Sequence, residues 1–131
     1  MSGAMSEVRI SGFGINVSDL DRSTDFYTRG LGLQERGKYD LGHMHEVLLG
    51  TEGEPVSILL IKHTSRSEPP DIGTGYEKIV LVCDDVADSY ERALAEGGTS
   101  HVEPRKIEAM GLTVAMVRDP DGYVVELVRQ D

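Results

Sequence analysis

A chain of 131 residues is long enough for one domain with a real core and too short for two ordinary ones. Thirteen Lys and Arg against 23 Asp and Glu give a formal charge of -10, which repels phosphate backbones and anionic membrane surfaces, so neither nucleic acid nor membrane is an expected partner. The single cysteine, Cys83, excludes an internal disulfide, and without a secretory or long apolar segment the expected location is a reducing cytoplasm.

Residues 1–8 show no periodicity and are expected to be a disordered or added N-terminus. Val8–Val17 then predicts a strand, and Ser18 or Asp19 caps a helix running to about Leu31, with Gly32 at its end. Lys38–Leu49 and Val56–His63 are rich in branched and aliphatic residues, are separated by Gly50, Gly53 and Pro55, and predict two antiparallel strands. Thr64–Gly75 holds Pro69, Pro70, Gly73 and Gly75 among polar residues and predicts a linker.

The same order then repeats. Tyr76–Cys83 predicts a strand, Asp84 and Asp85 a cap, and a helix extends to about Glu96, closed by Gly97 and Gly98. Val86, Tyr90, Ala93 and Leu94 fall on one face of that helix, and Cys83 at the end of an apolar run is expected to be a small hydrophobe. His101–Arg105, Leu112–Val117 and Tyr123–Val128 predict further strands, with Asp119-Pro-Asp-Gly122 as the turn before the last. An offset of 66 residues carries Asp19 onto Asp85 and Leu31–Gly32 onto Gly97–Gly98. The chain is thus expected to be one α+β domain over 9–129, built from tandem βαβββ modules at 9–63 and 76–129 with the linker 64–75 between them.

Three stretches carry a family resemblance: Val17-Ser-Asp-Leu-Asp-Arg-Ser-Thr-Asp-Phe-Tyr27 followed by Leu31-Gly-Leu33, then Gly73-Thr-Gly-Tyr76 with Ala95-Glu-Gly-Gly98, then Asp119-Pro-Asp-Gly-Tyr-Val-Val-Glu-Leu127. In order and spacing they resemble the vicinal oxygen chelate superfamily, which includes glyoxalase I and the bleomycin-resistance-like proteins. The resemblance implies two modules curling into an open barrel, a homodimer, and a divalent metal held by His or Gln, Glu, His and Glu. Those ligand positions fall at Gly12, Ile58, Lys78 and Glu126. Glycine and isoleucine donate nothing and an ammonium repels a metal, so no metal or other cofactor is expected here.

Lys78 and Glu126 are accordingly expected to meet where the metal would sit. Tyr76, two residues before Lys78, is a candidate to hydrogen-bond the pair or a ligand. His43 and His45, two apart, would share one face of a strand and are further ligand-binding candidates, or plain surface residues of an edge strand. His63 and His101 are expected at the surface. Two functions stay open. One is metal-independent binding of a small organic molecule in an apolar cavity, of the resistance or sequestration type. The other is a lyase or isomerase acting on a carbonyl compound, with Glu126 as base and Lys78 stabilising an enolate. Lactoylglutathione lyase chemistry is disfavoured by the ligand positions.

Overall fold

The computed structural model describes residues 6–131. Part of the expected disordered terminus, residues 1–5, lies outside the described residues. Residues 6–11 are exposed and belong to no strand or helix, so the first strand is shorter than Val8–Val17.

Each half of the chain folds into a four-stranded mixed sheet with a helix against it. In the first, β1 (Gly12–Asn16), β2 (Gln34–Asp40), β3 (Met44–Gly50) and β4 (Ser57–His63) lie in the order β1-β4-β3-β2. In the second, β5 (Ile79–Val82), β6 (Thr99–Ile107), β7 (Leu112–Arg118) and β8 (Val124–Gln130) lie in the order β5-β8-β7-β6. β1 runs parallel to β4 and β5 parallel to β8, as a helical crossover requires, and the other pairings are antiparallel. This is the α+β architecture of two βαβββ modules that the internal repeat predicts.

The helices start where their capping residues dictate. Asp19 accepts the Arg22 amide ahead of α1 (Leu20–Asp25), and Asp85 accepts the Asp88 amide ahead of α2 (Val86–Ala95). The first helix does not continue as an α-helix to Leu31. Over Phe26–Gly30 it widens into a π-turn, with the Leu31 amide bonding the Phe26 carbonyl. That turn packs on α2, and a Cβ on Gly30 would lie 3.3 Å from the Cβ of Glu96. Gly98 lies closer still: a Cβ there would sit 2.6 Å from the ring of Phe26.

The expected single strand Lys38–Leu49 is in fact a hairpin of β2 and β3. Gly42 turns it with a φ of +81°, a conformation glycine adopts freely, and Asp40 accepts the Gly42 amide. Asp40 and Gly42 are turn residues inside the run, so the break has a local signal that the single-strand reading passed over.

Strand register divides each sheet into two faces. On one side Ile15, Val47, Leu49, Ile58 and Leu60 of the first sheet join Ile79, Ala115, Val117, Val125 and Leu127 of the second, with Phe26, Tyr27, Tyr90 and Ala93, in one buried core. The opposite face of each sheet carries no helix.

The modules are fastened by the β7–β8 turn. Asp119 is buried, and its carboxylate accepts the Tyr27 hydroxyl at 2.7 Å and the amides of Asp121 and Tyr123 at 2.9 and 3.0 Å. Asp121 accepts the Ser18 amide at 3.0 Å, and the Tyr123 hydroxyl donates to the Asn16 carbonyl at 2.8 Å. Burial raises the Asp119 pKa above the ordinary carboxylate value, against the lowering effect of its three donors. Burial, with Asp119 beside it, also raises that of Tyr27 well above a free phenol.

Asp119→Ala strands one hydroxyl and two amides and is expected to cost about 3 kcal/mol in urea unfolding. Asp119→Asn can accept both amides and donate to Tyr27, so its loss should be smaller. Because the folded carboxyl holds its proton more tightly than the unfolded one, the stabilisation it gives is full below the ordinary carboxylate range and is lost as pH rises through the raised value. The stability of the unmodified protein relative to Asp119→Asn should therefore fall over that acid window and level off above it. A difference that rises with pH would contradict this assignment.

Candidate functional site

On the open face of the second sheet, register sets the side chains in rows. Glu126 on β8 lies between Val80 of β5 and Met116 of β7. Val124, two residues earlier on the same strand, lies opposite Arg118 of β7, and Val128, two residues later, lies between Val82 and Val114. Lys78, one residue before β5, reaches this surface: its Nζ is 3.2 Å from Oε2 of Glu126. The expected pair forms. Its side chains keep 33% and 15% of their surface exposed, so the pair sits at an opening and not in a sealed interior.

Lys78 also lines a cavity of about 300 Å³ at the seam between the modules, with Phe13, Leu49, Val56, Ile58 and Val80. A second depression of about 660 Å³ continues along β5, past Val82 and Cys83 to Leu31 and Leu33. Cys83 is half-buried, and burial pushes its thiol pKa up, which disfavours the nucleophilic thiolate.

On the first sheet's open face the potential donors Glu46 and Asn16 lie opposite Ile61, four residues along β4 from Ser57, the register partner of Gly12. A Cβ built on Gly12 would lie 2.5 Å from the Ser57 carbonyl oxygen and 2.9 Å from Cδ1 of Leu59, so any side chain there forces the backbone apart. Strand register sets the first two of the four family positions, Gly12 and Ile58, on opposite faces of the sheet. Gly12 pairs with Ser57, while Ile58 pairs with Phe13 and Leu49 and points into the helix-side core. The open-face residues of β4 are Ser57, Leu59 and Ile61, two of them aliphatic. The donors therefore do not fit the family's metal: a glycine with no room, an aliphatic strand, and a lysine leave Glu126 as the one carboxylate. Among the described residues no group of three or more His, Cys, Asp or Glu converges.

The other candidates are placed elsewhere. The Tyr76 hydroxyl donates to the Val124 carbonyl at 2.7 Å and its ring packs edge-on against Tyr123, with centroids 5.1 Å apart, so it braces β8 from the core side. Burial raises its pKa far above a free phenol. His43 lies in the β2–β3 turn and not on a strand, so it does not share a face with His45. His45 pairs with Asp40 and Lys62, on the side opposite Leu59, with its Nδ1 3.8 Å from the Asp40 carboxylate. The two therefore do not form the shared ligand-binding face that their spacing suggested, because the hairpin turn takes in His43 and leaves His45 on the strand. His101, exposed as expected, has its Nδ1 3.1 Å from Nη2 of Arg118. Sequence reasoning missed Arg118. Extending the Leu112–Val117 strand by one residue would have put it two places beyond Met116, on the same face.

A family model for the Glyoxalase/Bleomycin resistance protein/Dioxygenase superfamily matches residues 9–127. The chain belongs to this superfamily. It is 31% identical over 123 residues to the lactoylglutathione lyase of Escherichia coli O157:H7, covering 88% of each chain. Among solved structures it is similar to glyoxalase I from Zea mays, with TM-score 0.83, 29% identity and coverage of 94% of this chain and 45% of that one. It also shares the fold of TnmS3, an antibiotic binding protein from Streptomyces sp. CB03234, with TM-score 0.75, 24% identity, and 98% and 100% coverage. Plant lactoylglutathione lyases that it matches are longer, and the chain spans 41–42% of their length. No helix among the described residues is long and apolar enough to cross a membrane.

Because the Lys78–Glu126 pair is partly solvated, its coupling should be modest. A four-variant cycle with Lys78→Met and Glu126→Gln is expected to give about 0.5–1 kcal/mol of interaction by urea unfolding. Strictly additive effects would mean that the two side chains do not interact in solution.

Proposed function

We propose that this chain binds a small organic molecule without a metal, on the apolar open face of its second sheet, with Lys78 and Glu126 as polar anchors. The observation that carries the reading is the 3.2 Å contact between Lys78 and Glu126 at two of the positions where relatives hold metal. An ammonium there satisfies the carboxylate and opposes a divalent ion, and the closed space at Gly12 gives a third ligand no room. The surrounding Val80, Val124, Val128 and Met116 supply the apolar wall and few polar groups that small-molecule sites have.

A lyase or isomerase reading is favoured by one observation, the similarity to lactoylglutathione lyases. In that reading Glu126 removes a proton alpha to a carbonyl while the Lys78 ammonium stabilises the oxyanion that forms. The test is isomerisation of the hemithioacetal of methylglyoxal and glutathione, with and without added nickel or zinc. The expected result is no saturable turnover in either condition, together with binding of the uncharged apolar dye Nile red. Turnover that appears with metal and vanishes with a chelator would sink the metal-independent reading. Turnover without metal that is lost in Glu126→Gln would decide for the enzyme.

The binding unit is proposed to be a homodimer, as the family resemblance implies. β5 is an edge strand of its sheet, with Val80 51% and Val82 84% exposed, and β1 is an edge strand of the other. Unpaired apolar edges of this kind invite a second strand. Sedimentation should show a dimer at tens of micromolar, a range set by ordinary affinities. Val82→Glu should shift it toward monomer, and a monomer for the unmodified chain would overturn the assembly.

A further inference from the structure

We propose that the ligand of the open face is an amphipathic organic anion, held by Arg118 together with Lys78. This rests on the reading of that face as the binding surface and goes beyond it by naming the chemical class.

Among the described residues four of the nine arginines, Arg9, Arg22, Arg29 and Arg92, pair with an acid, while Arg36 is held by backbone carbonyls and Ser57 and Arg129 by the Asp84 carbonyl. Arg118 is half-buried and makes no ion pair among the described residues; its one polar contact is with His101. It lies at the end of β7, opposite Val124, so it and Lys78 flank Val124 from the two sides of β8. Two strand spacings separate their backbones, roughly 10 Å, which two long side chains can close around one anionic group.

Charge on the face favours an anion. Lys78 and Glu126 neutralise each other, which leaves the Arg118 charge unmatched, and Arg105, opposite Val114 on β6, adds a second cation without an ion pair among the described residues. A guanidinium presents paired N–H donors that match a carboxylate or sulfonate, and the neighbouring register positions on this face, Val124, Met116, Val80 and Val128, are apolar. An inorganic anion would use the cation and leave this floor wet. A neutral apolar molecule would use the floor and leave the arginine with His101 as its one partner and no counter-charge among the described residues. A molecule with an apolar body and one anionic group uses both.

The test is fluorescence titration of the full chain with 8-anilinonaphthalene-1-sulfonate, an aromatic anion, and with Nile red. The sulfonate is expected to bind, to lose about tenfold in affinity in Arg118→Gln, as removal of one charge-assisted contact implies, and to recover most of it in Arg118→Lys. Nile red should bind all three alike. On the unmodified protein, which needs no variant to fold, 2-naphthoate should displace the sulfonate at concentrations where 2-naphthamide and inorganic phosphate do not. Equal displacement by naphthoate and naphthamide, or unchanged sulfonate affinity in a folded Arg118→Gln, overturns the anion proposal. Failure of Nile red to bind while the sulfonate still depends on Arg118 overturns the apolar-floor reading instead, so the two can fail separately.

Discussion

The carboxylate of Asp119 joins the two modules, and the arrangement of the rest follows from it. Placing a carboxylate in the core is unfavourable by itself, and three hydrogen bonds offset that cost. Two of the donors are amides of its own turn; the third is the hydroxyl of Tyr27, in the other module. The carboxylate is fully satisfied when the modules are docked and left short of a partner when they separate. Docking brings the π-turn of the first module against α2 of the second, where Gly30 and Gly98 permit the close approach of Ala93 and Phe26.

With the helices between them, the sheets spend one face each on a common core and leave the other open. Three of the positions at which the family resemblance implies metal ligands, Gly12, Lys78 and Glu126, belong to the open faces, and their chemistry does not suit a metal. Leu59 and the Ser57 carbonyl fill the space beside Gly12, and Lys78 brings a flexible ammonium to Glu126. A metal organises several donors around one point and polarises a bound oxygen strongly. A lysine supplies one charge and three donors on a mobile stem, which suits orientation of a polar ligand group more than coordination.

Several features were legible because they are local. Asp19 and Asp85 as helix caps, the glycines at the helix ends, the repeat of the βαβββ pattern and the Lys78–Glu126 proximity all follow from residue chemistry within a short window or from family alignment. Errors arose where a one-residue shift matters. A strand alternates faces at every residue, so a family position placed at Ile58 falls on the core face while its neighbours Ser57 and Leu59 face the open side. The turn at Asp40 and Gly42 was passed over inside a longer strand reading, and with it went the pairing of His43 with His45.

The sequence by itself determined the two-module architecture and the helix boundaries to within a turn at their N-termini, because capping and periodicity belong to individual residues and their near neighbours. Tertiary structure alone decided that Asp119 is a clamp and not merely a turn residue, and that Tyr76 braces Val124 from the core side. Both depend on contacts between residues distant in the chain, Tyr27 with Asp119 at a separation of 92 and Tyr76 with Val124 at 48. Such contacts are set by strand register and module docking, and no local pattern of residues encodes them.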